Sequence, residues 1–385
     1  MSTPGNPFEG LFGELAKLFS SQGPVNLQVA RQMAQWLAVG GEAEPNVDPI
    51  ERMRYEELGR AADLQVSEAA GLSTTPAGGV LSLRPVGRSD FAGRTVDAYR
   101  PLFEGLATSL GRSPEAAEEE DADPTAQLLG GVTEVVGPLL LGLQAGSLVG
   151  HHARRALGQY DLPIPRGPSD ELVVVAANVE AFAADWSLPP DDVRMWTCLH
   201  QVAHHAVLGR PHVSERLGEL LRQYVSGFEA DHSVVEEKLS DIDPTDPTSF
   251  QAVLGDPGEL LGAMQTPAQR QVLARTGALV AAIEGYVDHV LDTVGGQLVG
   301  SASALVEAMR RRRSEAGEGE GLVEKLLGLE LGPEQHERGA AFVRGVLERA
   351  GDEGLARLWR SERELPTPAE VDAPGLWLER IDLPD

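Results

Sequence analysis

The chain has 385 residues, 42% of them hydrophobic and only 5% aromatic, enough apolar side chain for a core built mainly from closely packed helices. Its 59 acidic and 32 basic residues give a formal charge of −27, which repels nucleic-acid phosphates and anionic headgroups, so neither is an expected partner. A single cysteine, Cys198, excludes an intramolecular disulfide. The N-terminal MSTPGNPFEGLFGELAKLF has no basic flank ahead of its apolar residues, so no signal peptide is expected and the cytoplasm is the expected compartment.

In chain order, apolar spacing predicts helices over 8–20, 24–39 and 49–71, the second with Val25, Val29, Met33, Trp36 and Leu37 on one stripe. Thr, Pro and Gly break the pattern across 74–93, which reads as an irregular crossing with at most a short strand at 80–83. Helix resumes over 95–111. SPEAAEEEDADPT, 113–125, carries six acidic residues and almost no large apolar group, and reads as a solvated loop closing an N-terminal helical region, 1–125. The rest, 126–385, is expected to carry the functional site, with the whole chain forming one compact unit.

Within 126–158 the run LLGGVTEVVGPLLLGLQAGSLVG is long enough to span a bilayer, but Glu134, Pro138, Gln144 and its glycines lower its hydropathy. Gly142, Gly146 and Gly150, at four-residue spacing, suit a helix in close contact with a neighbour, so a membrane span is not expected. ELVVVAANVEAF, 171–182, is the one clear strand, with its apolar block at Leu172 to Val175. Helices are then predicted over 190–208, 213–228, 232–240, 257–263, 267–296, 301–314, 333–350 and 352–361. Residues 366–385 read as an extended tail anchored by Trp377 and Leu378.

The segment with the most chemistry is MWTCLHQVAHHAVLG, 195–209. His200 and His204 are one helical turn apart on the same face. They match the zinc-protease pattern H-E-x-x-H except that Gln201 stands where that pattern has its general base. Zinc binds imidazole nitrogen and carboxylate oxygen, and a catalytic site needs a third protein ligand on another rigid element. Glu284, in AAIEGYVDHVLDTV, 281–294, is the best candidate, with Asp288 on the same helix face. Without such a third ligand, two histidines at this spacing also fit an ordinary helix core. His205 and His289 are candidate proton carriers, though each equally fits a hydrogen-bonded structural histidine. Cys198 reads as a small buried hydrophobe. His151, His152 and Tyr286 read as structural.

Four segments, GLQAGSLVGHHARRALGQYDLPIP, VAANVEAFA, MWTCLHQVAHHAVLG and EGYVDHVLD, occur in that order over roughly 130–295. In this the chain resembles the actinobacterial zincin-like metallopeptidases, a family loosely associated with deazaflavin-cofactor biosynthesis. The resemblance implies a mainly α, zincin-like helical fold with a small strand element near the metal helix. It also implies one zinc ion held by His200, His204 and Glu284. The E-x-x-x-D arrangement is similar to that of gluzincins, which implies that Asp288 accepts a hydrogen bond from a ligand histidine. Gln201 departs from the family pattern. Losing a general base costs about 10²–10⁴ in rate, so the expected protein is a zinc-dependent peptide or protein hydrolase of weak or no activity. The alternatives are a zinc-bearing pseudoenzyme and a metal-free helical interaction protein. An extended substrate is expected to pair with the strand at 172–176, and the acidic surface favours basic or neutral substrates.

Overall fold

The structure is a computed structural model and describes residues 23–110, 124–228, 266–314, 324–329 and 331–383. The helices predicted at 8–20, 232–240 and 257–263, and nearly all of the acidic loop, lie outside the described residues. What is described is mainly helical, with one two-stranded parallel sheet.

Helix α1, Leu27–Ala38, starts where the Asn26 side chain accepts the Val29 N–H at 3.1 Å. Helix α2, Pro49–Ala70, has Pro at its first position and ends at Gly71, whose φ of 62° favours glycine. Strand β1 follows at Ser82–Val86, and helix α3, Arg88–Leu110, begins well before the periodicity indicated. The reason is a remote cap: the Glu44 carboxylate accepts the N–H groups of Arg88 and Ser89 at 2.6 and 3.0 Å. A cap supplied from 44 residues away leaves no local sequence signal.

Helix α4, Pro124–Ala153, lies against α1. A Cβ on Gly146 would fall 2.4 Å from the Ala30 carbonyl oxygen, and one on Gly142 would fall 2.5 Å from that of Asn26. The glycine spacing thus serves close contact between two helix backbones. Among the described residues no helix is long and apolar enough to cross a membrane.

The predicted 171–182 strand divides in two. Strand β2, Glu171–Val175, pairs in parallel with β1, with Ser82 opposite Glu171, whereas Ala176–Asp185 forms helix α5. Asn178 fixes that helix by donating to the carbonyls of Ala153 and Ala156 at 3.0 and 2.7 Å, and the alanine-rich AANVEAF has little strand propensity to oppose it. Helices α6, Pro190–Leu208, α7, Pro211–Ser226, α8, Pro267–Leu298, α9, Ala302–Ser314, and α10, Pro333–Leu355, complete the body. Gly351, at φ 62°, kinks α10 before a 3₁₀ turn at Ala356–Trp359.

The C-terminal segment is not extended. It forms α11, Pro368–Asp372, and α12, Pro374–Asp382, each with Pro at its start, where a ring that fixes φ begins a helix instead of ending one. Trp377 does anchor it: the indole is fully buried and its N–H donates to the Glu364 carbonyl at 2.7 Å. One contiguous hydrophobic core runs from Val25 to Ile381.

Candidate metal centre

Helix α6 is buried along nearly its whole length, including His200, Gln201, His204 and His205. Helix α8 packs against it and brings Glu284, 80 residues away in sequence, to 3.0 Å from His204 Nε2. The candidate ligand atoms of His200, His204 and Glu284 all lie within 4.8 Å of one another. The two imidazole centroids are 4.3 Å apart, with Trp196 stacked on His200 at 4.9 Å and Tyr160 on His204 at 6.1 Å. His204 Nδ1–H donates to the His200 carbonyl at 3.1 Å, which directs Nε2 at Glu284.

Burial pushes His200 well below the ordinary imidazole range, and the neighbouring His204 adds to the effect. Burial also opposes a charge on His204, but the Glu284 carboxylate and its hydrogen bond outweigh it and raise that ring. For Glu284 the burial penalty is likewise overcome by His204, and the carboxyl is held below its usual range. These shifts favour the neutral form of His200 and the charged forms of His204 and Glu284, which are hydrogen-bonded to each other. Two imidazoles and an ionised carboxylate converging in a dry site match the ligand chemistry of zinc, and a cation there would replace the proton on His204.

Gln201 is fully buried. Its Oε1 accepts the Tyr160 N–H at 2.8 Å, which sets the amide orientation and puts its NH₂ group 3.3 Å from His200 Nδ1. The side chain lies over Gly158, where a Cβ would fall 2.5 Å from the amide carbon. Asp161 holds this turn by accepting the N–H groups of Leu157 and Gly158 at 2.8 and 3.1 Å. The base position therefore holds a fixed amide.

A cleft of about 130 Å³ opens on this centre, walled by Trp196, Gln201, Arg313 and His336 as well as by His200 and Glu284. Asp288 is not hydrogen-bonded to either His200 or His204. It lies 3.5 Å from His336 Nδ1 and 3.9 Å from Arg313, while the Nδ1 of His204 donates within its own helix. His205 turns away from the cleft, with its Nδ1 3.0 Å from the Tyr160 hydroxyl, and burial pushes it down to about 4. His289 does not line the cleft either. Tyr286 donates to the Ala70 carbonyl at 3.1 Å, a structural bond. Cys198 is buried, with its thiol pushed up by desolvation. His151 is exposed and donates to the Ser147 carbonyl, whereas His152 is buried on the cleft wall near Phe91.

The expected pairing of substrate with β2 is overturned. One edge of that strand is taken by β1, and the other by Leu157–Gln159, where Val175 N–H donates to Leu157 at 2.8 Å and Gln159 N–H to Val173 at 3.1 Å. Sequence reasoning missed His336, Arg313, Trp196 and Tyr160. Only the run of four arginines at 310–313 offered a local signal for any of them.

These features define a helical protein with a His-His-Glu centre on two crossing helices. The family model for zincin-like metallopeptidases matches residues 25–378, and the chain belongs to that family. A crystal structure from Chloroflexus aurantiacus, provisionally described as that of a hydrolase with a novel fold, is similar with a TM-score of 0.64 and 23% identity. The match covers 94% of this chain and 100% of that one, and at such identity it is a likeness of fold. No curated protein matches the chain.

Proposed function

We propose that this protein is a zinc-dependent, metallopeptidase-like hydrolase of peptides or proteins whose turnover is weak or absent because Gln201 occupies the general-base position. The observation that carries this reading is the convergence of His200, His204 and Glu284 within 4.8 Å. These three residues would hold the metal. When bound, zinc supplies Lewis acidity toward a carbonyl group and a water molecule in the cleft.

The chain's own residues do the rest. Trp196 and Tyr160 stack against the two imidazoles and restrict their orientation. Gln201 can orient a water molecule through its amide but has no basic site at neutral pH. His336, on the cleft wall, is better placed than His205 or His289 to accept a proton.

The second reading is a pseudoenzyme that keeps zinc, and the clamped Gln201 amide favours it. A metal-free helical interaction protein is supported by the His204–Glu284 ion pair, which satisfies the buried carboxylate without a cation. The proposed setting is the cytoplasm, in keeping with the lone buried thiol. Elemental analysis of protein reconstituted with zinc separates the metal-free reading from the others. Peptide hydrolysis by the wild type and by Gln201→Glu separates the hydrolase from the pseudoenzyme.

A further inference from the structure

Two arginines, Arg312 and Arg313, line the metal cleft together with the carboxylates of Asp161, Glu284 and Glu324. Arg312 is spoken for: it donates to the Arg155 carbonyl at 2.6 Å and to Asp161 at 3.2 Å, and its guanidinium lies 5.6 Å over the Phe182 ring. Arg313 is not comparably held. One of its N–H groups is 3.3 Å from His336 Nδ1, and its ion-pair contact, with Asp288, is long at 3.9 Å. A guanidinium presents five N–H donors in a planar fork, so these two contacts leave donors over. The side chain is a quarter exposed, on the cleft wall. His336 Nδ1 lies 3.3 Å from Arg313 and 3.5 Å from Asp288: accepting from Arg313 leaves its proton on Nε2 as a donor toward a substrate carboxylate, whereas donating to Asp288 leaves Nε2 as a proton acceptor. Glu324, on the same wall, has a partner of its own.

Backbone geometry ties this pair to the candidate ligands. His336 lies one turn before Gly339, and Gly339 packs directly on Gly285, the residue after Glu284. The charge of Arg313 is accordingly felt at both His200 and Glu284.

We infer that the cleft selects substrates bearing a carboxylate, which Arg313 engages with its planar fork and His336 assists, beside the His200, His204 and Glu284 centre. This inference rests on the hydrolase reading and names its substrate class. Arg–carboxylate pairs are frequently bidentate and fix orientation as well as adding affinity, so such a contact would place the neighbouring amide bond in the cleft. The overall charge of −27 does not contradict it. At physiological ionic strength exposed charges are screened beyond about 8 Å, while a contact pair in a cleft is screened far less. The preference for basic or neutral substrates suggested by total charge is thus reversed at the site itself.

Calorimetric titration of the full-length protein, metal-free and zinc-loaded, tests this with three peptides. N-acetyl-glycylglycine carries a terminal carboxylate, its C-terminal amide carries none, and N-acetyl-aspartyl-glycinamide carries only a side-chain carboxylate. At least one carboxylate peptide is expected to bind roughly tenfold or more tightly than the neutral amide, and which one does so identifies the source of the carboxylate. Arg313→Gln should remove the preference, Arg313→Lys should keep part of it, and His336→Gln should reduce it, with zinc content and melting temperature preserved. Should Arg313→Gln fail to fold, the other two variants carry the test. Equal binding of all three peptides, no binding of any, or a preference that survives in folded Arg313→Gln overturns the inference. Loss of zinc binding in the wild type would instead overturn the hydrolase reading, because carboxylate preference is read independently in metal-free protein.

Discussion

Gly285 and Gly339 meet backbone to backbone: a Cβ built on Gly285 would fall 2.3 Å from the Gly339 carbonyl carbon, and one on Gly339 would fall 2.1 Å from the Ala281 carbonyl oxygen. Helices α8 and α10 can cross this closely only because both positions lack a side chain. The crossing sets Glu284 on one helix and His336 on the other against the same cleft. Gly285→Ala should therefore destabilise the protein by about 1–3 kcal/mol or more through overpacking, and should weaken zinc binding in parallel. Gly295, on the same helix with nothing within 4 Å of a Cβ, is the control. Gly295→Ala should be neutral or slightly stabilising. Denaturant melts of both variants check the contrast, and equal effects would refute it.

Zinc binding is expected at about one equivalent per chain after reconstitution and removal of excess metal, the count that one His-His-Glu centre allows. His200→Ala should abolish it, and Glu284→Gln should reduce it by removing the only anionic ligand. Elemental analysis showing no zinc in folded wild-type protein at neutral pH would defeat the metal reading.

Stability should also depend on pH. Burial pushes His152 and His205 down to about 4 in the folded state. Between pH 6.5 and 4 the unfolded chain therefore binds protons that the folded chain does not, and stability falls as pH is lowered across that window. Each histidine contributes on the order of 3 kcal/mol at most. His204 works the other way in metal-free protein. Its raised folded value gives stabilisation that is fully present below pH 6.5 and lost as pH rises through that value. Chemical unfolding of metal-free protein from pH 4.5 to 8 should show a maximum between these two limbs. His152→Gln should flatten the acid limb, and an unchanged profile would refute the assignment for that residue.

What was legible in the sequence follows from how local its cause is. The helices at 24–39, 49–71, 190–208 and 267–296 announce themselves by local signals: apolar spacing, side-chain caps at Asn26, Asp48 and Thr266, and Pro in the first turn at Pro49, Pro190 and Pro267. The His200–His204 pair is local in the same sense, and Glu284 needed only the idea that a third ligand must sit on another helix. The errors have remote causes. Helix α3 starts early because Glu44 caps it, the 171–182 strand turns helical at Ala176 where Asn178 ties it to the end of α4, and β2 has no free edge because Leu157–Gln159 occupies it. Asp288 was placed by analogy with gluzincins, yet its carboxylate lies beside His336 and Arg313, residues whose approach depends on the Gly285–Gly339 crossing.

Gln201 gives the sharpest test. Its amide is clamped by the Tyr160 N–H and packed on Gly158, so a glutamate of nearly the same shape would fit without moving the loop. One carboxylate oxygen would keep the Tyr160 bond, leaving the other as the base that the amide cannot be. Gln201→Glu should then raise hydrolysis of a peptide library by about two orders of magnitude or more, the usual contribution of a positioned base, while zinc content stays near one equivalent. Robust wild-type activity that the substitution leaves unchanged would mean that another group takes the proton, with His336 on the cleft wall the first suspect ahead of His205 and His289. If both forms bind zinc and neither cleaves any peptide, Gln201 is not what limits turnover. The protein would then be a zinc-bearing pseudoenzyme in which the clamped amide helps to hold His200 in place.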